Sequence, residues 1–267
     1  MPEARWQPDV RDRRYNRGKD DGLRRLVSEG DSWFDYPPHT NVIDFIDDTE
    51  DFAIKRFEAS GDTIRNMVVT VEKVAEAVRS ERPECVLLSA GGNDVVEKDF
   101  IKTLFRDFDA NLTPREHLIA PVWAVKLKQL EDDFVLFMHA VSDHAPIIVH
   151  GYDYMRPSKK GAKYDGFRVS GPWVQPSMII HHIEDPQFQR NIVKVMIDDF
   201  NEILVRLQKK YPLNYIHIDL RGKFSEADWL NEIHLKRDGF DTVSKEFLKT
   251  IAQRLPAVLA ARKAAGL

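Results

Sequence analysis

The sequence predicts an α/β protein, a three-layer α/β/α sandwich built around a five-stranded parallel sheet. Five short apolar segments, rich in β-branched and aromatic residues, alternate with stretches whose apolar residues recur at helical spacing. Nearly continuous apolar runs of this length are typical of strands buried on both faces of a parallel sheet. The composition, 43% hydrophobic and 31% charged over 267 residues, is that of a globular domain.

The five apolar runs are the predicted strands. They lie at residues 23–28, 51–58, 85–90, 146–150 and 215–220. Glycine and polar residues, which favour turns, follow each of them.

Helical patterns follow the five strands in turn. They cover residues 42–46, 63–79, 121–141, 189–208 and 240–259, and in the second of them Ile64, Met67, Val71 and Val74 share one face. The alternation predicts right-handed crossovers with helices on both faces of the sheet. With five strands, we expect the flavodoxin-like strand order 2-1-3-4-5.

Residues 23–267 form one predicted domain, without a linker or an internal repeat. Residues 1–22 are expected to be a solvated N-terminal arm, because aspartates interrupt their basic cluster. The cluster and its aspartates are Arg11, Asp12, Arg13, Arg14, Arg17, Lys19, Asp20 and Asp21.

One long segment, residues 152–186, fits neither a strand nor a helix. It has four prolines, three glycines and the aromatic residues Tyr152, Tyr154, Tyr164, Phe167 and Trp173. Long connections in compact domains are usually functional or disordered. The aromatic residues favour an ordered loop that forms the wall of a pocket.

Charge and cysteine content argue against several classes of protein. The formal net charge is −4, from 39 basic and 43 acidic residues, without the basic excess typical of nucleic-acid binding. A single cysteine, Cys85, excludes an intramolecular disulfide. No apolar stretch approaches the roughly 20 residues of a membrane span, and residues 1–15 lack the apolar core of a secretory signal. We therefore expect a cytoplasmic protein.

Residues that can carry chemistry follow the predicted strands. They are Ser32 after the first strand, Gly61 after the second, Asn93 after the third and His234 after the fifth. Ligands of open α/β sheets bind beyond the carboxyl ends of the strands, so we expect these groups at one rim. A serine with a neighbouring base can attack a carbonyl carbon, and an amide or backbone N–H can bind the oxyanion.

This set of motifs resembles the SGNH/GDSL hydrolases, a family of serine esterases and lipases. The matching positions are Gly30-Asp31-Ser32, Gly61, Gly91-x-Asn93-Asp94 and a C-terminal His234. Each motif alone is weak, but the order and the context at strand ends match over residues 23–259. The resemblance implies an ester hydrolase that forms an acyl-enzyme with a small ester or acylated substrate, without a metal or an organic cofactor.

The resemblance also implies individual roles. Ser32 would be the nucleophile, at the start of the first helix, and His234 would accept its proton and return it to the leaving group. The oxyanion hole would consist of the backbone N–H groups of Ser32 and Gly61 and the side-chain amide of Asn93.

The chain departs from the family pattern at the residue expected to orient His234. The family has Asp-x-x-His, whereas Asn231 stands three residues before His234 here. An asparagine can orient an imidazole, as in Cys-His-Asn enzymes, but it cannot stabilise the imidazolium by charge. Asp228 could supply that charge, Glu232 and Asp219 are further candidates, and a Ser-His dyad is another alternative.

The substrate pocket is expected to include aromatic residues near Ser32, the loop at 152–186 and one acidic residue. The expected walls are Trp33, Phe34, Tyr36, Asp94 and Tyr152. The adjacent pair His181-His182 does not predict a metal site, because neighbouring side chains diverge. Two other functions stay open: a non-catalytic protein that binds a ligand or partner at the same rim, and an acyltransferase with an acceptor other than water.

Overall fold

A computed structural model describes residues 7–37, 39–164 and 167–267. The strands are β1 (Arg24–Gly30), β2 (Phe52–Arg56), β3 (Cys85–Ser89), β4 (Ile147–His150), β5 (Ala162–Tyr164), β6 (Phe167–Ser170) and β7 (Tyr215–Ile218). Five of them form a parallel sheet in the order β2-β1-β3-β4-β7, and β5 pairs with β6 as an antiparallel hairpin. The predicted α/β class and the order 2-1-3-4-5 are confirmed.

Helices flank the sheet. They are α1 (Pro8–Asp20), α2 (Val42–Asp47), α3 (Ile64–Glu81), α4 (Gly92–Val96), α5 (Lys98–Ile101), α6 (Ala120–Val141), α7 (Gln175–Ile180), α8 (Pro186–Lys210), α9 (Arg237–Gln253) and α10 (Leu255–Ala265), with a 3-10 helix at Glu226–Asp228. The predicted helices correspond to α2, α3, α6, α8 and α9. The last one was predicted to continue to residue 259, but it ends before Arg254, because Pro256 lacks the N–H that a continuing helix needs.

The sheet is buried on both faces, as the apolar runs predict. Every residue of β3, β4 and β7 is buried. Helix α6 packs against α3 and α8, and α9 packs against α2 and α10. Since the strands are parallel, their carboxyl ends all meet at one edge, where the connecting loops carry the polar residues.

The prediction of a solvated N-terminal arm is wrong for residues 8–20, which form α1. This helix packs against β2 and buries Val10 and Tyr15. Arg11 is also largely buried and forms an ion pair with Asp35. Two apolar side chains among many charged ones are too few to reveal a helical stripe in the sequence. Residues 1–6 of the predicted arm lie outside the described residues.

The segment 152–186 contains regular structure in its described part. It comprises the β5–β6 hairpin and α7, and it buries Ala162, Val174 and Met178. Residues 165 and 166 lie outside the described residues. These contacts hold the segment over the carboxyl edge of the sheet.

Candidate active site

Ser32 lies in a turn directly after β1, at the carboxyl edge of the sheet. The N–H of Phe34 donates to the carbonyl oxygen of Asp31 at 3.0 Å and closes this turn. Glycine is needed at position 30, because a Cβ there would lie 2.8 Å from the Phe34 ring. The sequence places Ser32 at the start of a helix, but α2 begins only at Val42. The nucleophile candidate therefore sits on a turn rather than on a helix N-terminus.

His234 reaches Ser32 from the loop that precedes α9. Its Nε2 lies 2.7 Å from Oγ of Ser32. The indole Nε1 of Trp33 donates to the carbonyl oxygen of Ile233 at 3.1 Å and ties this loop to the Ser32 turn. Folding thus brings a hydroxyl and an imidazole from opposite ends of the chain into hydrogen-bonding contact.

The second ring nitrogen of His234 contacts Asn231. Oδ1 of Asn231 lies 3.0 Å from Nδ1 of His234. The same oxygen accepts the backbone N–H groups of His234 at 2.9 Å and Ile233 at 3.1 Å. Backbone N–H groups can only donate, so these bonds fix the orientation of the amide. Nδ1 therefore carries the ring proton, and Nε2 is free to accept the proton of Ser32.

The carboxylates considered as alternatives to Asn231 have other partners. Asp228 is partly exposed, and it accepts the backbone N–H and the hydroxyl of Ser225, each at 2.7 Å. Asp219 forms an ion pair with Arg221 at 2.7 Å. This geometry gives no support to Asp228 as the group that orients His234.

Two aromatic rings enclose the imidazole of His234. Tyr36 stacks on it with ring centres 4.1 Å apart, and Trp173 meets it edge-on at 5.5 Å. The hydroxyl oxygen of Tyr36 accepts a hydrogen bond from Nδ2 of Asn231 at 3.2 Å. Burial lowers the pKa of His234 to about 3, so the ring stays in its neutral, basic form at neutral pH. The stacking of Tyr36 on His234 had no signal in the sequence, since the two residues lie far apart in the chain.

Asn93 lies beside the loop that carries Gly61. Its Nδ2 donates to the carbonyl oxygen of Asp62 at 2.8 Å, which occupies one of the two amide hydrogens. Gly61 has a φ of +90°, and a Cβ there would meet no neighbouring atom within 4 Å. Among the described backbone hydrogen bonds, neither the N–H of Ser32 nor that of Gly61 is a donor. The N–H groups of Ser32 and Gly61 and the second amide hydrogen of Asn93 thus have no acceptor among the described hydrogen bonds.

Asp94 lies next to Asn93 but does not line the cavity near Ser32, contrary to the pocket role predicted for it. Its Oδ2 accepts the N–H of Ile64, the first residue of α3, at 2.9 Å. Burial raises the pKa of Asp94 to about 6. Asp94 therefore holds the start of α3, and with it the loop containing Gly61, against α4.

A buried polar network lies beneath the Ser32 turn. Oδ1 of Asp31 accepts the hydroxyl of Ser89 at 2.7 Å, and Oδ2 accepts the hydroxyl of Tyr152 in a short hydrogen bond. Nε2 of His150 lies 2.8 Å from the hydroxyl oxygen of Ser89 and extends the network across the sheet to β4. The sequence analysis gave Ser89 and His150 no role. A polar residue at the end of an otherwise apolar buried strand could have indicated a role at the carboxyl edge of the sheet.

Burial dominates the electrostatics of this network. It raises the pKa of Asp31 to about 6 and lowers the pKa of His150 to about 3. The three hydrogen bonds to the carboxylate, from Ser89, Tyr152 and the backbone of Trp33, favour its charged form and offset part of this cost. The network holds the turn that presents Ser32.

Glu232 joins the His234 loop to the segment 152–186. Its buried carboxylate accepts the backbone N–H groups of Val174 at 2.9 Å and Gln175 at 2.8 Å, and that of Trp173 in a short bond. Burial raises the pKa of Glu232, and these bonds oppose that rise. Glu232 therefore fixes the position of Trp173 against His234. The sequence suggested Glu232 only as a possible partner of the imidazole.

Two spaces adjoin the catalytic candidates. A small cavity of about 30 Å³ lies beside Ser32, and Trp33 and Tyr152, both expected to wall a substrate pocket, belong to its lining. An open groove of about 570 Å³ passes Gly61 and Trp173. Asn93 borders both spaces, so the site where the oxyanion would form lies between them.

Among the described residues, no group of three or more His, Cys, Asp or Glu side chains is arranged to hold a metal ion. None of the helices in the same part of the chain is both long enough and apolar enough to cross a membrane.

Comparisons with known proteins support the fold. No protein-family model and no curated protein sequence matches the chain. A solved structure of a member of the lipolytic protein G-D-S-L family from Veillonella parvula DSM 2008 matches with a TM-score of 0.56 and 14% identity, over 86% of this chain and 100% of that one. The lipase Lip_vut3 from a goat rumen metagenome matches with a TM-score of 0.57 and 12% identity, over 87% of this chain and 100% of that one. The fold is the one that the motif resemblance predicts.

Proposed function

We propose that this protein is a serine-dependent ester hydrolase of the SGNH/GDSL type. The observation that carries the proposal is the 2.7 Å contact between Oγ of Ser32 and Nε2 of His234. A serine hydroxyl is a weak nucleophile until a neighbouring base takes its proton. His234 is suited to that role, because Asn231 holds the ring proton on Nδ1 and burial keeps the ring neutral.

The first half-reaction forms an acyl-enzyme. Oγ of Ser32 attacks the carbonyl carbon of the ester as its proton passes to Nε2 of His234. The N–H groups of Ser32 and Gly61 and the second amide hydrogen of Asn93 bind the oxyanion of the tetrahedral intermediate. His234 then gives the proton to the leaving alkoxide oxygen, and the C–O bond to the alcohol breaks.

The second half-reaction releases the acid. His234 takes a proton from a water molecule, whose oxygen attacks the acyl carbon in the same oxyanion site. The second tetrahedral intermediate collapses, Oγ of Ser32 leaves, and His234 returns the proton to it. The carboxylic acid is the product, and the enzyme regains its starting state.

Two measurements on the Ser32→Ala variant test the proposal. Wild-type protein should release nitrophenol from p-nitrophenyl acetate and should be labelled covalently at Ser32 by a fluorophosphonate probe. The variant should lose both properties and should keep its melting temperature, because only one oxygen is removed. Equal turnover by the variant, or no labelling of the wild type, would contradict the proposal. The second outcome would favour a protein that only binds a ligand at this site.

A further inference from the structure

We infer that this protein acts on esters of short acyl groups, acetyl and propionyl, and that the cavity beside Ser32 sets this limit. The inference rests on the proposed hydrolase function and adds the chemical class of the acyl group. It follows from the size of the cavity, the nature of its wall and its position relative to the groove.

The size of the cavity favours a small occupant. Its volume is about 30 Å³, whereas about 10–15 Å³ is enough for one water molecule. Beyond the carbonyl carbon, an acetyl group has one carbon atom and a propionyl group has two. Ser32 and Asn93 both belong to the wall, so a group in the cavity lies next to the nucleophile and to an oxyanion donor.

The wall of the cavity is apolar and firmly packed. Val95 of α4, Ile197 and Phe200 of α8, Met155 and Trp229 all contribute, and each is at least 94% buried. Close-packed interiors resist displacement, so a longer chain could enter only by moving residues of these helices. An apolar wall also suits an alkyl group rather than a hydroxylated one.

The acidic residues in the wall offer no free acceptor to a polar ligand. The two oxygens of Asp153 accept the backbone N–H groups of Gly222 at 2.6 Å and Phe224 at 2.9 Å. Both oxygens of Asp31 are bonded within the network beneath Ser32. The two carboxylates of the wall are thus already satisfied by the protein.

The groove is the better place for the leaving group. Trp173 belongs to its wall and also touches the imidazole of His234, which must deliver a proton to the leaving oxygen. With a volume of about 570 Å³, the groove has room for a large alcohol. The acyl group is then left with the smaller cavity on the opposite side of the oxyanion site.

A series of esters with one leaving group tests the inference. We expect kcat/KM to fall by about tenfold or more from p-nitrophenyl acetate to p-nitrophenyl octanoate, because the longer chain overfills the cavity. Octanoate hydrolysed as well as acetate would overturn the inference and leave the proposed function standing. Hydrolysis of neither ester, together with no labelling of Ser32, would overturn both.

Variants of the wall connect the preference to this cavity. Met155→Ala enlarges the cavity and should raise the butyrate-to-acetate ratio of kcat/KM several-fold. Val95→Ala, a smaller truncation of the same wall, should shift the ratio in the same direction and serves if Met155→Ala does not fold. Met138→Ala, a buried methionine of α6 outside the wall, should leave the ratio unchanged. An unchanged ratio in a folded wall variant would overturn the inference.

Discussion

Oδ1 of Asn231 lies 3.0 Å from Nδ1 of His234, so an amide rather than a carboxylate orients the imidazole. The amide fixes the ring and its tautomer but brings no negative charge to stabilise the imidazolium. Burial under Tyr36 and Trp173 disfavours the protonated imidazole, and no nearby carboxylate opposes this effect. The pKa of His234 therefore falls to about 3.

Replacing Asn231 by aspartate should change the pH dependence of turnover. The new carboxylate, which keeps an acceptor toward Nδ1, favours the protonated ring and raises the pKa of His234. We expect the acid limb of the kcat/KM profile to move to higher pH, and the rate at neutral pH to rise. Profiles of wild type and Asn231→Asp between pH 2.5 and 9 measure this effect. Superimposable profiles would show that residue 231 is not coupled to the base.

Removing the amide of Asn93 should lower turnover far more than it lowers binding. An oxyanion donor acts mainly in the transition state, so Asn93→Ala should reduce kcat by about 10²–10³ with a small change in KM. Asn93 also bonds the carbonyl oxygen of Asp62, so the melting temperature of the variant is the control. A kcat within about threefold of wild type would exclude Asn93 from the oxyanion site.

The fold could be predicted from the sequence because its signals are local. Runs such as 85–90 mark strands buried on both faces, and a parallel sheet then restricts the topology to few choices. The N-terminal helix escaped prediction because charged residues surround Val10 and Tyr15. Its stability comes from packing on β2, which no local pattern records.

The site was predictable only where single residues carry the chemistry. Ser32, Asn93 and His234 follow strands in an order that points to one rim. By contrast, the stacking of Tyr36 on His234 depends on how distant loops meet in space. Whether Asn231 or Asp228 orients His234 depends on where the two side chains point within one loop. The spacing of residues in the sequence does not give that direction.

The hydroxyl of Tyr152 should matter for stability. Tyr152→Phe leaves Oδ2 of Asp31 without its donor in a buried site, which costs about 1–3 kcal/mol. The matched control is Tyr154→Phe, whose hydroxyl bonds the more accessible Asp198 at 2.9 Å, so its cost should be smaller. Urea denaturation at pH 7 gives both free energies of unfolding. Equal losses in the two variants would contradict the importance of the buried network.

Glu232 should hold the segment 152–186 in place. Glu232→Ala removes the acceptor of three backbone N–H groups around Val174 and frees Trp173 from His234. We expect faster tryptic cleavage within 152–186, a higher KM and a lower kcat, because local opening exposes this segment. Glu184→Ala alters an exposed carboxylate of the same segment and should leave cleavage unchanged. Identical cleavage rates for the two variants would remove Glu232 from this role.

Glu29, at the end of β1, should make the protein less stable at alkaline pH. Burial raises its pKa to about 8 from an ordinary value of 4.5, so the folded state holds a proton that the unfolded state releases at lower pH. Protonated Glu29 makes its full contribution to the free energy of unfolding below pH 4.5, and this contribution is lost as the pH rises through 8. Glu29→Gln stays neutral and should avoid the loss, which is on the order of 2 kcal/mol between pH 6 and 9.

Melting temperatures at pH 6 and pH 9 measure the effect of Glu29. The wild type should lose more stability between the two values than Glu29→Gln does. Glu76→Gln, which changes an exposed carboxylate of α3, should behave like the wild type. Asp31 and Asp94, with pKa values of about 6, and the histidines of the unfolded chain also titrate near pH 6, but they are the same in all three proteins and cancel in the comparison. A parallel decline in Glu29→Gln would therefore assign the alkaline loss to groups other than Glu29.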